Sequence, residues 1–556
     1  MRRVGLFLVV GLLALSFAMP TQAAPRGATA EYTVVYARGV PAAVARAAVA
    51  AIGGKVVHEN AAVGVATVVT NNPAFLSDVA LQRALFGAAD ANIPVGYAPR
   101  VVNKPSSIET EQGGAVGKDA AAQAQNVNEP LEPKLWGMDM IDASDGSWDI
   151  QQGDPGVTVG IIDTGLDASH PDIAPNFSHE LSRNFTTDRP IIDGPCEEEP
   201  DQSCKDPADV DEGGHGTHVG GTVAAALNGI GVAGVAPDIT LVNLRAGQDA
   251  GWFFLQPSVD ALTYAGDVGI DVANMSYFID PWQYNCPNDP TASPNEQRQQ
   301  RTVIEAASRA LNYAHDHGVT LVSSLGNDFR DYDHKGTRPD DTSPNFPPGN
   351  ERSRPITNDC LDMPTEGPHV ISVTALGPSG RKAYYSNYGL QDADVSAPGG
   401  DRREFFGTQR YNSPATRILS SYPRTLAFEE GLITPDCEPT TPLVITEKRR
   451  AHPCAVYVFL QGTSMASPHA AGVAALIVSE YGVPDLNHGG LKMLPNSVRD
   501  ILYATAVDTP CPPGGHIDYP DLPDEFDADC VGTAEKNSFY GHGIVNALNA
   551  VTGQQS

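Results

Sequence analysis

Three residues far apart in the chain, Asp163, His215 and Ser464, have the side chains that nucleophilic catalysis requires. A serine hydroxyl becomes a nucleophile when a neighbouring base takes its proton, and a carboxylate can orient that base. Ser464 follows a Gly-Thr pair and precedes an alanine-rich apolar segment, so we expect it to begin a buried helix. The first N–H groups of such a helix could stabilise a negative oxygen. A serine at this position is more often a simple cap, so the catalytic interpretation depends on the two upstream motifs.

The carboxylate and the base each lie in a distinctive segment. Asp163 ends a β-branched apolar run over 156–162, although an aspartate at a strand end is often only a turn cap. His215 begins the next predicted helix within a glycine-rich segment that permits close backbone approach. His218 lies three residues later, and such a pair can bind a metal. No glutamate or third ligand stands at a familiar spacing, so we interpret His218 as a residue packed beneath the site.

Taken in order, these segments resemble the Asp, His and Ser motifs of the subtilisin-like serine peptidases. The resemblance extends from about residue 135 to the end of the chain. It rests on Asp163-Thr164-Gly165, His215-Gly216-Thr217-His218 and Gly462-Thr463-Ser464-Met465-Ala466-Ser467-Pro468-His469. It implies that Ser464 attacks the scissile carbonyl, that His215 takes and returns the proton, and that Asp163 fixes the histidine tautomer. The resemblance implies no cofactor for the chemistry itself.

The resemblance also implies an oxyanion donor and two substrate-binding segments. Asn327 follows a buried strand where the family has its oxyanion-hole asparagine, and a plain Gly-Asn turn is the alternative. The first substrate-binding segment is expected to pair with the substrate backbone as a strand. The residues assigned to substrate binding are Asn274, Ser276, Tyr277, Ser324, Leu325 and Gly326. The run that begins at Tyr277 is bulkier than the glycine-rich sequence usual in the family, so we expect specificity pockets of a different shape.

Two further side-chain predictions concern Asp328 and a calcium site, and the second of them follows from the same resemblance. Asp328, beside Asn327, predicts a preference for a basic side chain before the cleaved bond. Asp172 and Asn228 match positions that bind a stabilising Ca²⁺ in many members of the family, and their oxygens suit a hard cation. A loop held by backbone hydrogen bonds alone is the alternative to this calcium site.

The charge balance and the N-terminus predict where the protein works. Lys plus Arg total 36 and Asp plus Glu total 67, and the resulting net charge of −31 argues against nucleic acid and anionic membranes as partners. Two arginines, an apolar run over 4–18 and a small-residue site at 21–23 predict a signal peptide in residues 1–23. No later stretch competes as a membrane span, so we expect a secreted, extracellular monomer without stable membrane insertion.

Changes in composition divide the rest of the chain into three parts. Residues 24–102 read as strand, helix, strand, helix, which predicts a small α+β, ferredoxin-like domain. Its pattern and position resemble the inhibitory propeptide of the same family, and an independent adhesion module is the alternative. Residues 103–133 contain little that could pack, which predicts an exposed linker with a processing site. Residues 134–556 alternate apolar runs with helical stretches and predict an α/β peptidase domain, a parallel sheet between two helical layers.

The peptidase domain is predicted in more detail from its apolar runs. Buried parallel strands are expected at 156–162, 239–243, 272–275, 319–323 and 370–375, and helices at 258–266 and 302–317. Reactive residues should then lie at the C-terminal ends of the strands.

Eight cysteines, an even number in an exported chain, suggest disulfides. Proximity favours Cys196 with Cys204, Cys437 with Cys454 and Cys511 with Cys530, which leaves Cys286 for Cys360. Metal ligation is the alternative, but no Cys-x-x-Cys spacing supports it. The extra segments 190–212, 422–453 and 509–537 accompany the local pairs, and we expect either solvated, stapled loops or a rim around the cleft.

Together these features predict a secreted serine endopeptidase made as a precursor. Its partners would be protein or peptide substrates and its own propeptide, which would act as an intramolecular inhibitor. A catalytically silent subtilisin-like fold used for binding is the rival interpretation, and the full set of catalytic residues counts against it. Ester hydrolysis as the main activity is a third possibility that only a comparison of substrates would distinguish.

Overall fold

The computed structural model describes residues 29–91, 108–111, 129–196, 202–449 and 452–555. The predicted signal peptide, residues 1–23, lies outside this part of the chain. The described residues form a small antiparallel sheet with two helices, followed by a large parallel sheet that helices cover on both faces.

The N-terminal domain has the order β1 (Ala30–Tyr36), α1 (Ala42–Ala51), β2 (Gly54–Asn60), β3 (Val65–Thr70), α2 (Phe75–Leu81) and β4 (Phe86–Ala91). Its strands lie in the order β2-β3-β1-β4 with antiparallel pairing throughout, which is the ferredoxin-like β-α-β-β-α-β arrangement. The sequence pattern predicted β1, α1, β3 and α2 but missed β2 and β4. Strand β2 has no residue that is fully buried, so it carries no apolar run to reveal it.

Seven strands form the parallel sheet of the larger domain. They are β5 (Thr158–Ile162), β6 (Arg183–Asn184), β7 (Thr240–Arg245), β8 (Val272–Met275), β9 (Thr320–Ser324), β10 (Val370–Leu376) and β11 (Val395–Pro398). Their order is β11-β10-β9-β8-β5-β7-β6, and every neighbouring pair is parallel. The predicted parallel sheet is confirmed, and each of the five predicted strands is present to within two residues at either end.

Helices cover both faces of this sheet. They are α3 (Trp136–Met140), α4 (Pro190–Asp193), α5 (His215–Ala224), α6 (Leu255–Val268), α7 (Pro294–Asp316), α8 (Arg424–Glu429), α9 (Thr463–Tyr481), α10 (Pro495–Thr505) and α11 (Ala547–Thr552). Successive strand residues point to opposite faces. Val272 and Val322 pack in the core that contains α5 and α9, whereas Ala273 and Leu321 pack with α6 and α7. The predicted three-layer α/β architecture is therefore confirmed.

A second, antiparallel sheet that the sequence did not predict leads into α9. It consists of β12 (Ile418–Tyr422), β13 (Val444–Arg449) and β14 (His452–Leu460) in the order β12-β14-β13. Only Gln461 and Gly462 separate β14 from α9, so this sheet fixes where α9 begins. Two short hairpins complete the strands, β15 (Val483–Pro484) with β16 (Leu491–Lys492) and β17 (His516–Ile517) with β18 (Ala528–Asp529).

The N-terminal domain lies on the outer surface of α6 and α7. Arg309 of α7 donates from Nη1 to the main-chain oxygens of Tyr36 at 2.8 Å and Val63 at 3.1 Å. Asp260 of α6 accepts a hydrogen bond from Asn60 at 2.9 Å. Apolar residues of β1 and β3 join the core beneath these helices. The two domains therefore share one continuous interface.

The predicted exposed linker is wrong for the described parts of residues 103–133. Leu131 is buried and donates its backbone N–H to Gly231 at 2.9 Å, and the side chains of Glu129 and Glu132 are buried as well. Residues 108–111 include a 3-10 turn, and Glu109 in this turn accepts a hydrogen bond from Ser464. These contacts are specific tertiary pairings, which composition alone does not reveal. The predicted domain boundaries and processing site stay predictions.

All four predicted disulfides are present: Cys196 with Cys204, Cys286 with Cys360, Cys437 with Cys454 and Cys511 with Cys530. Among the residues that the structure describes, no helix combines the length and the apolar character of a membrane span.

Candidate active site

Asp163 and His215 meet where β5 ends and α5 begins. Asp163 follows the last residue of β5 and is fully buried, and its Oδ1 lies 2.7 Å from Nδ1 of His215. The same carboxylate oxygen accepts the backbone N–H of Thr164 at 2.7 Å. The close approach of α5 to this turn depends on Gly216, because an added methyl group there would lie 2.1 Å from the main-chain oxygen of Gly165.

A buried carboxylate that the sequence did not single out, Asp211, holds the start of α5. It accepts hydrogen bonds from the backbone N–H groups of Gly214 at 2.9 Å and Thr217 at 3.0 Å, and from the hydroxyl of Thr164 at 2.9 Å. These bonds satisfy N–H groups that the first turn of a helix leaves unpaired. An acidic residue shortly before a predicted helix is the pattern that could have revealed it.

Ser464 lies in the first turn of α9, as the sequence predicted. Ser276, the residue that follows β8, packs against this turn. Its hydroxyl contacts the main-chain oxygen of Ser464 at 3.2 Å and Ser467 Oγ at 2.8 Å. Because β5, β8 and β9 are neighbouring parallel strands, their C-terminal ends lie at one edge of the sheet. Asp163, Ser276 and the loop that contains Asn327, which we call the oxyanion loop, therefore lie close together.

Asn327 is held with its amide group facing the cleft. Its Oδ1 accepts both the backbone N–H and the hydroxyl of Thr463, each at 2.9 Å. With the oxygen fixed in this way, Nδ2 points toward Gly462 and lies 3.6 Å from where a Cβ on that glycine would stand. The amide N–H therefore borders the space in front of Ser464, where an oxyanion donor is required.

A glutamate that the sequence did not predict, Glu109, lies between the serine and the histidine. The Ser464 hydroxyl donates to Glu109 Oε1 at 2.6 Å, and Glu109 Oε2 lies 3.7 Å from His215 Nε2. The two catalytic side chains therefore converge on a single carboxylate. Because 355 positions separate Glu109 from Ser464, no local sequence pattern could have indicated the contact.

The charges around His215 favour its protonated form. Burial alone would lower the pKa of His215, but the carboxylates of Asp163 and Glu109 outweigh this effect and raise the pKa well above its usual value. A protonated imidazole cannot accept the proton of Ser464. Glu109 therefore occupies the space between Ser464 and His215, and with Asp163 it favours the protonated form of His215.

His218 packs beneath the site, as predicted. It is fully buried, and its Nε2 lies 3.0 Å from the main-chain oxygen of Val458 and 3.2 Å from that of Ile418. Burial lowers the pKa of His218 to about 3, so the side chain is neutral. In the described part of the chain, the side-chain groups that could hold a metal are His516, Asp518 and Asp527, and Asp206, Glu212 and Asp249, so the His215–His218 pair is not among them.

The prediction that Asn274 pairs with a substrate strand is wrong. Strand β8 is central, and Asn274 lies between Ile161 of β5 and Val322 of β9, so both of its edges are already paired. Its side chain is fully buried and donates to Ser276 Oγ at 2.9 Å. Backbone pairing with a substrate can begin only beyond the end of β8, from Ser276 onward.

The remaining predicted substrate residues fall into two groups. The ring of Tyr277 turns away from the cleft and stacks on Phe253 with centroids 4.2 Å apart, so its bulk fills the core. Ser324 and Leu325 are buried, and their main-chain oxygens accept hydrogen bonds from Thr365 at 2.9 Å and Asn387 at 3.0 Å. The Gly326 N–H donates to Thr463 Oγ1 at 3.1 Å. Their part in substrate binding stays a prediction.

Asp328 holds the oxyanion loop against neighbouring segments by hydrogen bonds. Its Oδ2 accepts hydrogen bonds from the Gln283 amide and from the hydroxyl of Tyr284 at 3.3 Å, and its backbone N–H donates to Asn387 Oδ1 at 3.0 Å. The hydrogen bonds from Gln283 and Tyr284 use Oδ2 of the carboxylate, the group that would have to contact a basic substrate side chain.

Asp172 and Asn228 lie together, but hydrogen bonds already use their oxygens. The two oxygens of Asp172 accept from the Tyr457 hydroxyl at 2.8 Å and from Asn228 Nδ2 at 3.2 Å. Asn228 Oδ1 accepts from the Ile230 N–H at 2.8 Å. Burial raises the pKa of Asp172 to about 7, which weakens it as a cation ligand. This donor set does not fit calcium in its present arrangement.

The extra segment 422–453 rims the cleft. Together with His215 and residues 109–111 it lines a cavity of about 510 Å³. The members from this segment and from β14 are mostly apolar: Tyr422, Glu430, Leu432, Thr441, Leu443, Val444, Val458, Phe459 and Leu460. Of the two expectations for this segment, the rim is the one that its position bears out.

A buried Asp-His pair, a serine at a helix start and an amide aimed at the same space define the class of serine hydrolases on a parallel α/β sheet. The chain belongs to the subtilase family, because residues 154–543 match the profile of the family Peptidase S8.

Known relatives agree with this family. The chain is 29% identical over 338 residues to a thermophilic serine proteinase of Bacillus sp. (strain AK1), which covers 61% of this chain and 56% of that protein. It is 27% identical over 354 residues to subtilisin DY of Bacillus licheniformis, covering 63% of this chain and 84% of the relative. The match to fervidolysin of Fervidobacterium pennivorans spans 42% of that protein, so the chain spans about half the length of some relatives.

The fold is also found in solved structures. The epidermin leader peptide processing serine protease of Staphylococcus aureus superposes with a TM-score of 0.60 at 20% identity, covering 95% of this chain and 99% of that chain.

Proposed function

We propose that the protein is a secreted serine endopeptidase that hydrolyses peptide bonds through an acyl-enzyme. The observation that carries this proposal is the convergence of Ser464 and of the Asp163-paired His215 on one carboxylate, beside the amide of Asn327. A substrate carbonyl that replaced this carboxylate would meet a nucleophile, a base and an oxyanion donor at once.

Each residue has a defined part in the reaction. After Glu109 leaves, the pKa of His215 falls, and the neutral imidazole takes the Ser464 proton as the hydroxyl attacks the carbonyl carbon. Asp163 holds Nδ1 of His215 as the proton donor and stabilises the imidazolium. The Asn327 amide and the Ser464 N–H receive the oxyanion, and His215 then protonates the leaving amine. Water completes the cycle by the same steps.

The described chain corresponds to a precursor in this proposal. The N-terminal domain would act as an intramolecular inhibitor, with residues 108–111 as the part that blocks the cleft. The protein would be secreted and monomeric and would act on protein or peptide substrates. A structural calcium at Asp172 and Asn228 is a separate proposal, and it requires the hydrogen bonds of both side chains to rearrange. A rise of melting temperature on adding calcium that Asp172→Asn abolishes would support it.

Purified Ser464→Ala tests the assignment of the nucleophile. The variant should cut casein at no more than about one thousandth of the wild-type rate, because removing the nucleophile leaves only oxyanion stabilisation and binding. Ser479→Ala, a serine later on the same helix, is the matched control and should keep wild-type activity. Casein cleavage by Ser464→Ala at the wild-type rate would refute the assignment.

A further inference from the structure

Residues 108–111, which we call the cleft segment, contain a second glutamate, Glu111. Four groups of the catalytic domain bind it. Its Oε1 accepts hydrogen bonds from Arg402 and, at 3.0 Å, from Arg403. Its Oε2 accepts the hydroxyl of Tyr384, and its main-chain oxygen accepts Nη2 of Arg417 at 3.1 Å. We call these four groups, Tyr384, Arg402, Arg403 and Arg417, the arginine pocket.

The arginine pocket is part of the rigid framework. Tyr384 is 1%, Arg402 4% and Arg417 2% exposed. The side-chain oxygen of Asn412 lies 3.4 Å from both Arg402 Nη1 and Arg417 Nη2 and spaces the two guanidinium groups. The main-chain oxygen of Arg417 accepts the indole N–H of Trp136 at 2.9 Å. These contacts hold the arginines in place independently of Glu111.

The charges of the arginine pocket require an anion. Within the described residues, Glu111 provides the only carboxylate that forms an ion pair with Arg402, whereas Arg403 also pairs with Asp521 at 2.9 Å. Arg402 Nε and Arg417 Nη1 are buried and donate no hydrogen bond to any described residue. Burial and the neighbouring Arg402 lower the pKa of Arg417 to about 10, which reflects the cost of placing like charges together. Buried Asp401 offsets only part of this charge.

The direction of the cleft segment relates the arginine pocket to the reaction centre. The main-chain oxygen of Ile108 accepts the Gln461 amide at 3.1 Å, Glu109 follows at Ser464, and Glu111 then enters the pocket. A substrate that runs in this direction would place residues of its leaving-group side there. Glu111 follows Glu109 by two residues, and two residues of a 3-10 turn rise about 4 Å. An extended substrate covers this distance in one to two residues, so its first or second residue after the cleaved bond would reach the pocket.

We propose that the arginine pocket is a substrate subsite that selects an acidic side chain at the first or second residue after the cleaved bond. The proposal rests on the proposed peptidase function. In the precursor, Glu111 occupies the subsite and anchors the segment that carries Glu109. The net charge of −31 repels acidic peptides at long range, so the selection comes from short-range, charge-assisted hydrogen bonds in the pocket.

Matched peptides test the selection in the active, processed enzyme. Pairs that differ only by Glu or Gln at each of the first three positions after the cleaved bond are compared by kcat/KM. We expect Glu to be favoured about tenfold or more at the first or second position. The ratio should fall below about twofold in Arg402→Gln and persist in Arg410→Gln, whose exposed side chain stacks on Phe405 outside the pocket. Equal rates for Glu and Gln at all three positions would overturn the proposal.

A second measurement, backbone hydrogen exchange, tests the binding of Glu111 in the arginine pocket without relying on catalysis. In the full chain carrying Ser464→Ala, backbone hydrogen exchange of residues 108–111 should rise about tenfold in Glu111→Gln and stay unchanged in Arg410→Gln. Unchanged exchange in Glu111→Gln would refute the anchoring of Glu111. Failure of the peptidase function would appear differently, as cleavage of neither peptide and no covalent labelling of Ser464, and it would also exclude a substrate subsite.

Discussion

Glu109 contacts both of the proposed catalytic side chains, Ser464 and His215, in the full chain. Its carboxylate accepts the Ser464 hydroxyl at 2.6 Å, so that hydroxyl donates away from His215. It also raises the pKa of His215 together with Asp163. In the proposed precursor, Glu109 would therefore block both the nucleophile and the base until its side chain leaves.

The first prediction concerns the protonation of His215. In the Ser464→Ala chain, Glu109→Gln should lower the pKa of His215, because one of the two carboxylates that stabilise the imidazolium becomes neutral. Titration of the His215 ring by NMR measures the change. Glu429→Gln, on an exposed part of α8, is the control and should leave the titration as it was. A pKa that does not move would show that Glu109 has no electrostatic role.

The sign of the pH dependence follows from this raised pKa. The blocked arrangement gains stability that is fully present below the unfolded-state pKa of histidine, about 6.5, and that is lost as the pH rises through the raised pKa. Covalent labelling of Ser464 in the intact chain should therefore become faster with rising pH. The midpoint of this rise should move to lower pH in Glu109→Gln, because the pKa of His215 is then lower.

Asn327→Ala tests the oxyanion donor. Loss of the amide should reduce kcat by about 100- to 1,000-fold with a small change in KM, a magnitude that itself comes from this family. Steady-state kinetics on a peptide substrate measure both constants, and Asn358→Ala, on an exposed loop, controls for general damage. If kcat fell less than about threefold, a plain Gly-Asn turn would be the better description.

At the scale of elements, strand ends and helix starts place the catalytic residues. The apolar runs predicted β5, β8 and β9 because strands buried on both faces are continuously apolar. The second sheet, β12 to β14, escaped prediction because it was interpreted as an extra loop with a staple. Its strand β14 leads into α9, and the segment 422–453, which includes β13, forms the rim beside His215.

Gly216→Ala tests the contact between α5 and the end of β5. The added methyl group would meet the main-chain oxygen of Gly165 at 2.1 Å, which no change of rotamer can relieve. We expect kcat/KM to fall at least about tenfold, and stability to fall by about 1–3 kcal/mol. Gly266→Ala in α6 is the control, because its methyl group would meet side-chain atoms at 3.1 Å or more. Equal activity of the two variants would contradict this packing.

At the scale of the whole molecule, the sequence revealed the peptidase domain better than the contacts that residues 108–111 make with it. Asp163, His215, Asn327 and Ser464 lie in local motifs, so their roles could be predicted. Glu109 could not, because the sequence around it has no periodic pattern and its contact with Ser464 spans 355 positions. The arginine pocket escaped prediction as well, because its members lie in two loops without a periodic pattern, Tyr384 between β10 and β11 and the three arginines between β11 and β12. Glu111, which they bind, is 273 positions from Tyr384 and 306 from Arg417.

Arg309→Ala tests the coupling between the two domains. Arg309 donates to the main-chain oxygens of Tyr36 and Val63, and each charged hydrogen bond contributes about 1.5–3 kcal/mol. Its loss should increase hydrogen exchange in β1 and β3 and speed the labelling of Ser464 in the intact chain. Arg499→Ala on α10, far from the interface, should change neither. Unchanged exchange in Arg309→Ala would separate the N-terminal domain from the inhibition.

The most direct test of the central claim is covalent labelling of the full chain with a fluorophosphonate, with the modified residue located by mass spectrometry. We predict a single adduct on Ser464, faster formation in Glu109→Gln and no adduct in Ser464→Ala. Absence of an adduct on Ser464 in both the intact and the processed protein would contradict the assignment of this site as a serine peptidase.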